Sequence, residues 1–465
     1  MSVEARTAGE GRSAPPPAPA PELWSRPWWA GSTPVPTLRA AGLLAVLAVA
    51  SAVGPPEIGV WAPVLLVVVL LGVDAWSTPA PWKVGVDREL PLVVPLDGTG
   101  TVVWRLANPT DRPLQVAIAD ELAPSLRAET RRIRARLPPR GRVRATATLR
   151  PRRRGTFRPE HLTVRVGGPL GLVVRQAPRS LPGRIEVHPS FRSRDAAELR
   201  IRRARVLEQG LRSVRGRGGG TEFESLRDYV QGDEFRHVDW SATARRGIPI
   251  VRTFRAERNQ TVIVLLDTGR VVAGLVEGVP RLDHGMDATL ALATVATHLG
   301  DRIGMVAFGG AVRSVVAPRR DADQLRRLSS AMHALEPELA ESGYRDAFKV
   351  TLARFRRRAL LVIVTELASE AVQETLVPAL PLVTREHAVV IASVRDPAVE
   401  RMRDQAATSP SEAYAAAAAA SVLAERTRAA ARLRSLGAMV IDAPPEQLAA
   451  QLADAYLDVK ARGGL

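Results

Sequence analysis

Thr261-Val262-Ile263-Val264-Leu265-Leu266-Asp267-Thr268-Gly269-Arg270 is the stretch on which the fold turns. Val262 to Leu266 run without a polar break into an acid, a threonine and a glycine. An apolar run that short and that rich in β-branched residues reads as a strand buried on both faces, with the polar residues as the turn leaving its carboxyl end. The same pattern recurs at Ile303 to Phe308, Leu360 to Val364, Ala388 to Ser393 and Ala438 to Ile441. Helical patterns separate the runs, at Met286 to Leu299, Asp323 to Leu335, Glu370 to Val383 and Ser411 to Leu436, with another after Pro445. Strand and helix in alternation predict an open, doubly wound α/β domain over 259–465. Arg313 to Ala317, after the Gly309-Gly310 turn, is placed as an antiparallel edge strand. Pro378 and Pro381 should kink or split the third helix. The long fourth helix is well punctuated, with a capping box from Ser409 to Glu412, Pro410 at its first position and Gly437 at its end.

In such a sheet ligands gather at the carboxyl ends of the strands, so Asp267 to Arg270 is the first place to look. Glu366, closing Val364-Thr365-Glu366, offers a second carboxylate. A hard cation at a strand tip, as in von Willebrand A domains, asks for Asp-x-Ser-x-Ser, a carboxylate and two hydroxyls. Here those positions are Asp267, Gly269 and Val271, and Arg270 brings a positive charge to the place a cation would take. The reading is a degenerate metal site, with no cofactor expected and with Arg270 pairing to Asp267 or Glu366 in the metal's stead. Leu265 to Gly269 also matches an aspartic-protease triplet, but that chemistry needs a second aspartate in the same setting and the chain has no second Asp-Thr-Gly. Gly216 to Gly220 lack the Lys-Ser/Thr of a phosphate-binding loop, there is no Gly-x-Ser-x-Gly elbow, and the seven histidines have no metal-ligand spacing.

Upstream, 84–190 reads as an all-β sandwich. Thr101 to Leu106, Val143 to Leu149 and Leu162 to Val166 alternate apolar and polar residues between Gly, Pro and Asn turns. Arg132, Arg134, Arg136, Arg142 and Arg144 alternate with apolar neighbours, so one sheet face is expected to be basic: a solvated face, or one that meets anionic headgroups.

Residues 1–35 form a Pro/Ala-rich tail with too few large apolar residues to offset the entropy of ordering. Over 36–77 come two uncharged runs, Ala40 to Pro56 and Ile58 to Val73. Each is slightly shorter than the roughly 20 residues that cross a bilayer, so a pair of buried core helices is the rival. Trp24, Trp28, Trp29, Trp61, Trp76 and Trp82 cluster around them, as rings at headgroup level would. The reading is a transmembrane helical hairpin. Arg26, Arg39, Lys83 and Arg88 flank it while the connection carries only Glu57, which puts both ends and the soluble domains in the cytoplasm of an inner-membrane protein. A cleaved signal peptide fits less well, because no small-x-small site precedes a polar start.

Composition adds limits. The chain has 465 residues, no cysteine and a net charge of +17, so disulfides, thiolate nucleophiles and zinc ribbons are excluded. Lysine occurs only at Lys83, Lys349 and Lys460; the positive charge is arginine spread along the whole chain, a compositional bias and not a nucleic-acid patch. No nucleic-acid partner is expected.

The densest polar constellation falls in 191–258, a segment expected to pack on the α/β domain. It holds Glu222, Arg227, Tyr229, Asp233, Arg236, Asp239, Trp240 and Arg245, with Phe223 and Phe235 interleaved. Opposite charges at that density suit ion pairs with aromatic walls, or a protein-recognition surface. The pattern Glu222-Phe223, Leu226-Arg227, Tyr229, Gly232-Asp233, Arg236, Asp239-Trp240 and Ala244-Arg245 resembles the bacterial domain-of-unknown-function-58 family. Arg154-Gly155, Gly168-Pro169-Leu170-Gly171-Leu172 and Gly300-Asp301-Arg302-Ile303-Gly304 extend the resemblance. It implies a membrane-anchored, von Willebrand A-like protein associated with MoxR-type AAA+ ATPases, and a non-enzymatic scaffold that binds such an ATPase in maturation or remodelling of other proteins. Two other classes stay open: a metal-dependent hydrolase using Asp267 and Glu366, and an anionic membrane-surface binder.

Overall fold

The computed structural model describes residues 33–53, 61–214, 222–231, 233, 235–255, 260–367 and 372–462. Most of the tail, the connection holding Glu57 and the Gly216–Gly220 run lie outside them. The chain divides into two compact units, Met1–His188 and Pro189–Leu465.

The first unit opens with a short strand, β1 (Thr33–Pro36), then helices α1 (Leu38–Val53) and α2 (Trp61–Ser77). Pairing of β1 with a later strand corrects the tail's expected end, since residues 33–35 are ordered by backbone hydrogen bonds. Val64–Lys83 is long and apolar enough to cross a membrane, whereas the apolar part of the first helix, Leu38–Val49, is shorter. By length, one of the two expected spans is therefore met among the described residues. The helices are not core helices of the unit: Val46, Val49, Leu65, Leu66, Val68, Val69 and Val73 are exposed.

Ten strands follow: β2 (Gly85–Glu89), β3 (Val93–Pro95), β4 (Gly100–Ala107), β5 (Leu114–Asp120), β6 (Arg132–Leu137), β7 (Arg142–Leu149), β8 (Gly155–Phe157), β9 (His161–Gly167), β10 (Val173–Ser180) and β11 (Ile185–His188). They form sheets in the orders β1-β10-β9-β5-β6, β2-β4-β7 and β3-β11-β8. Inward residues such as Val102, Trp104, Val116, Ile118, Ile133 and Val164 share one buried cluster. Within it Asp120 accepts from Trp104 Nε1 at 2.7 Å and from Arg88 at 2.6 Å, so the buried acid is fully paired. The arginines alternate outward as expected, but Arg132, Arg134 and Arg136 lie on β6 and Arg142 and Arg144 on β7, in different sheets. The basic face is thus two rows, because the turn between β6 and β7 crosses from one sheet to another.

In the second unit, α3 (Arg194–Val214) precedes β12 (Glu222–Asp228), α4 (Trp240–Arg246) and β13 (Ile250–Arg255). The α/β part runs β14 (Thr261–Asp267), the small pair β15 (Leu275–Val276) and β16 (Val279–Pro280), α5 (Arg281–His298), β17 (Arg302–Phe308), β18 (Val312–Arg319), α6 (Gln324–Met332), α7 (Tyr344–Arg354), β19 (Leu360–Val364), β20 (Ala388–Val394), α8 (Pro397–Asp404), α9 (Pro410–Ser435), β21 (Met439–Ala443) and α10 (Pro445–Ala461). The sheet order is β18-β17-β14-β19-β20-β21, parallel throughout except for the antiparallel edge strand β18. Alternate residues of β14 serve opposite layers. Val262, Val264 and Leu266 join one core with α5 and α10, and Ile263 and Leu265 join another with α7 and α9. Pro378 and Pro381 split the helical stretch between β19 and β20 into short turns. The α3 helix packs on this unit through Ala197 and Ile201 and a pair from Arg200 to Asp454 at 3.1 Å.

Candidate functional site

The first crossover, from β14 through α5 to β17, runs to one side of β14, while β19 lies on its other side, so the order reverses at β14 and a crevice is expected at its carboxyl end. Asp267 sits there, fully buried. Its Oδ1 accepts from Gly269 N at 2.8 Å and Ser342 Oγ at 2.7 Å. Its Oδ2 accepts from Thr365 Oγ1 at 2.6 Å and Tyr344 Oη at 2.9 Å. A carboxylate has about four lone-pair sites, so this one is saturated by protein donors. Tyr344 Oη and Thr365 Oγ1 also lie 2.8 Å apart, making a triangle with Oδ2 whose three edges share two hydroxyl protons. A proton on the carboxyl would fill the third edge. Burial pushes the Asp267 carboxyl above its ordinary range, with the hydrogen bonds from Thr365, Gly269, Ser342 and Tyr344 pulling the other way.

Glu366 is neutralised by arginines from two helices. Arg426, on α9, contacts Glu366 and forms a forked pair with Asp442 at 2.6 and 3.2 Å, while Arg281 Nε lies 3.5 Å from Glu366. Burial alone would lower the Arg426 guanidinium, but the hydrogen bonds and charges of Asp442 and Glu366 outweigh it and raise the value. Arg270 does not take the expected role. It reaches the exposed Glu341 at 3.3 Å, from a short turn whose first N–H donates to the carbonyl of Ala340 at 2.9 Å.

A metal does not fit the residues present. Gly269 and Val271 supply no side-chain oxygen, and the space a serine would need at 269 is already filled: a Cβ there would meet Ser342 Oγ at 2.2 Å. Glu366 is held by Arg426 and Ser393, with Arg281 nearby, and Asp267 by four donors, so a cation would meet two guanidiniums at one carboxylate and a filled donor set at the other. Sequence reading missed Ser342, Tyr344 and Arg426. The helix that presents Tyr344 carries the periodic series Tyr344, Ala347, Phe348, Thr351, a findable signal. Arg426 is one arginine among many on a 26-residue helix and has no local mark.

The motif segment forms a separate two-stranded ribbon, β12 with β13, outside the six-stranded sheet. Arg227 grips Asp233 through both nitrogens at 2.8 and 2.6 Å, and Asp233 also accepts from Val230 N at 2.9 Å. The hydrogen bond to Asp233 raises the Arg227 guanidinium further above its ordinary value. Asp239 caps α4 by accepting from Ala242 N at 2.9 Å and pairs with Arg252 at 2.8 Å; these contacts, the backbone one foremost, hold its carboxyl below the ordinary range. Arg252 is thus a partner the motif reading did not name. Arg236 and Arg245 are exposed, and Glu222 is placed only by its backbone in β12. Between the ion pairs, Phe235 is 73% and Trp240 67% exposed, with Leu226, Val230 and Ile248 also open to solvent. Tyr229 rests against Phe235 with ring centres 5.8 Å apart. Within 191–258, Ala197 and Ile201 of α3 are buried in the α/β core, whereas Phe235 and Trp240 stand open to solvent.

Fold and site together define a two-unit protein that joins a β-rich unit carrying an apolar helix to a doubly wound α/β unit with a surface ribbon. Residues 225–430 match a family model described as protein of unknown function, DUF58. Relatives include the uncharacterised proteins Rv1480 of Mycobacterium tuberculosis and Mb1516 of Mycobacterium bovis, each 28% identical over 153 residues, or 32% of this chain and 48% of theirs. The match therefore spans about half the length of these curated relatives. Among solved structures, the CARDB domain of PF1109 from Pyrococcus furiosus aligns at 11% identity over 23% of this chain and 95% of its own, with a TM-score of 0.15. A Bacteroides uniformis β-glucuronidase aligns at 9% identity over 77% of this chain and 33% of its own, also with a TM-score of 0.15. Scores that low say nothing about this fold.

Proposed function

We propose that this chain is a membrane-anchored, non-enzymatic scaffold that recognises another protein through the β12–β13 ribbon, and that the partner is a MoxR-type AAA+ ATPase, as the family resemblance implies. The observation that carries the reading is the exposed set Leu226, Val230, Phe235, Trp240 and Ile248. Five large apolar side chains open to water within residues 226–248 are costly for a monomer, and aromatic residues of that kind dominate interface centres. Arg227–Asp233 and Asp239–Arg252 pairs brace the ribbon, so it presents those side chains with little ordering left to do on binding. The saturated Asp267 and the arginine-paired Glu366 argue against the hydrolase alternative, since a metal would have to displace protein donors from Asp267 and the guanidinium of Arg426 from Glu366. The unit is read as von Willebrand A-like on its strand order and strand-end acid, and the first unit as a β-sandwich on its shared core. The exposed apolar faces of α1 and α2 support a helical hairpin in the membrane, with both ends cytoplasmic by the flanking charges.

The test is the double change Phe235→Ala with Trp240→Ala in the full-length protein, recovered from membranes after mild cross-linking. Loss of a co-purified AAA+ ATPase with an unchanged melting temperature is the expected result. Undiminished recovery would assign recognition to another surface.

A further inference from the structure

A cavity of about 790 Å³ in the first unit opens beside the carboxyl end of α2. Its walls include Trp76, Trp82, Lys83, Arg112, Arg136 and Arg175, contributed by the end of the helix, the chain after it, the turn before β5, and strands β6 and β10. Lys83, Arg112 and Arg136 thus bring positive charge to one hollow. The acid among its lining residues is Asp111, and Arg140 engages that carboxylate at 2.5 Å on the outer surface. The wall is built: Arg179 donates to the carbonyls of Trp82, at 3.1 Å, and Val84, fixing the chain that bears Trp82 and Lys83. Arg175, buried in β10, forms part of the wall. Trp76 is 80% exposed, and the apolar side chains Val69 and Val73 of the same helix are also uncovered.

We propose that this cavity binds the phosphate headgroup of an anionic membrane phospholipid, whose acyl chains lie along the exposed face of α2. The proposal rests on the reading of α2 as membrane-inserted. At the end of a span the cavity stands at headgroup depth, where tryptophan rings and basic side chains meet phosphate. Lys83, Arg112 and Arg136 against one acid among the described lining residues, itself already paired, exceed what a zwitterionic headgroup requires, because its own ammonium cancels its phosphate. An anionic headgroup brings the compensating charge. A volume in the range of small-molecule sites admits a glycerophosphate group with its first ester carbons.

The experiment uses the full-length protein in mild detergent, with native mass spectrometry after adding phosphatidylglycerol or phosphatidylcholine of identical chains. Preferential retention of phosphatidylglycerol is expected. R112E with R136E should reduce that retention by about tenfold or more, at roughly 1 kcal/mol per basic group near a lipid surface. R142E with R144E, on β7 and outside the cavity lining, removes the same charge and should leave retention intact. Should the glutamate pair fail to fold, R112Q with R136Q reads the same loss. Equal retention of the two lipids, equal loss in both pairs of variants, or displacement of the lipid by millimolar inorganic phosphate would each overturn the assignment, the last by moving it to a soluble phosphate. Alkaline carbonate extraction separates the two levels. Wild-type protein released to the supernatant sinks the membrane reading itself, whereas protein held in the pellet without lipid preference sinks only the site.

Discussion

Arg426 carries more of the strand-end chemistry than Arg270, and the two make opposite predictions. Its guanidinium is the shared partner of Glu366 and Asp442 in a nearly dry setting. Arg426→Ala strands two carboxylates and should cost about 3–5 kcal/mol in denaturant unfolding. Arg270→Ala removes an exposed pair and should cost under about 1 kcal/mol. A reversal of that order would show that the ion pairs around Glu366 are not what holds the crevice. Asp267 adds a pH dependence. Its folded carboxyl is raised by burial, so the protonated form is favoured by folding. The stability it contributes is complete below the unfolded value near 4 and is lost as the pH rises through the raised folded value. Asp267→Asn keeps the shape and cannot titrate, so its unfolding midpoint should fall less than the wild type's over that rise. Parallel curves for the two proteins would rule out a proton on Asp267.

At the scale of elements, the end of α2 is tied to the β10 side of the first unit by one side chain. Asp74, fully buried, accepts from the backbone N–H groups of Leu170, Leu172 and Val173 at 2.8 Å each. That contact explains Gly168-Pro169-Leu170-Gly171-Leu172 physically: a Cβ on Gly168 would stand 2.4 Å from the Asp74 carboxylate. Asp74→Ala leaves three buried donors without an acceptor, at about 1–3 kcal/mol for each that stays dry. Gly168→Ala pushes the carboxylate off the same donors. Both should open the 168–173 turn to limited proteolysis while the second unit resists it; an uncut turn in both variants would show that the loop is held from elsewhere.

For the whole molecule, the absence of cysteine makes topology directly measurable. Single cysteines at Glu57, Arg428 and Ser2 can be labelled in intact cells with a membrane-impermeant maleimide. A hairpin with cytoplasmic ends predicts labelling at 57 and protection of 2 and 428 until the cells are permeabilised. Labelling at 428 in intact cells would place the α/β unit outside, away from any cytoplasmic ATPase.

Much of this was legible in the chain. The five parallel strands, the edge strand β18, the capped helix α9 and the proline-split turn all rest on local periodicity and punctuation, which need only neighbours in sequence. Asp267 and Glu366 followed from the rule that sites sit at strand ends. What those acids do was decided elsewhere. Ser342 and Tyr344 reach Asp267 from 75 and 77 positions away, and Arg426 reaches Glu366 from 60, so no local pattern announces them. The motif segment shows the same division, with its charges legible as pairs while the exposure of Phe235 and Trp240 depends on a ribbon that stands outside the main sheet. By itself the sequence determined the elements, their order and the places where polar groups meet strand ends, because backbone preference and hydrophobic period are local. Only the tertiary structure decided which charges are satisfied, which aromatics remain uncovered and where a basic cavity opens, because those are properties of side chains that folding brings together from distant parts of the chain.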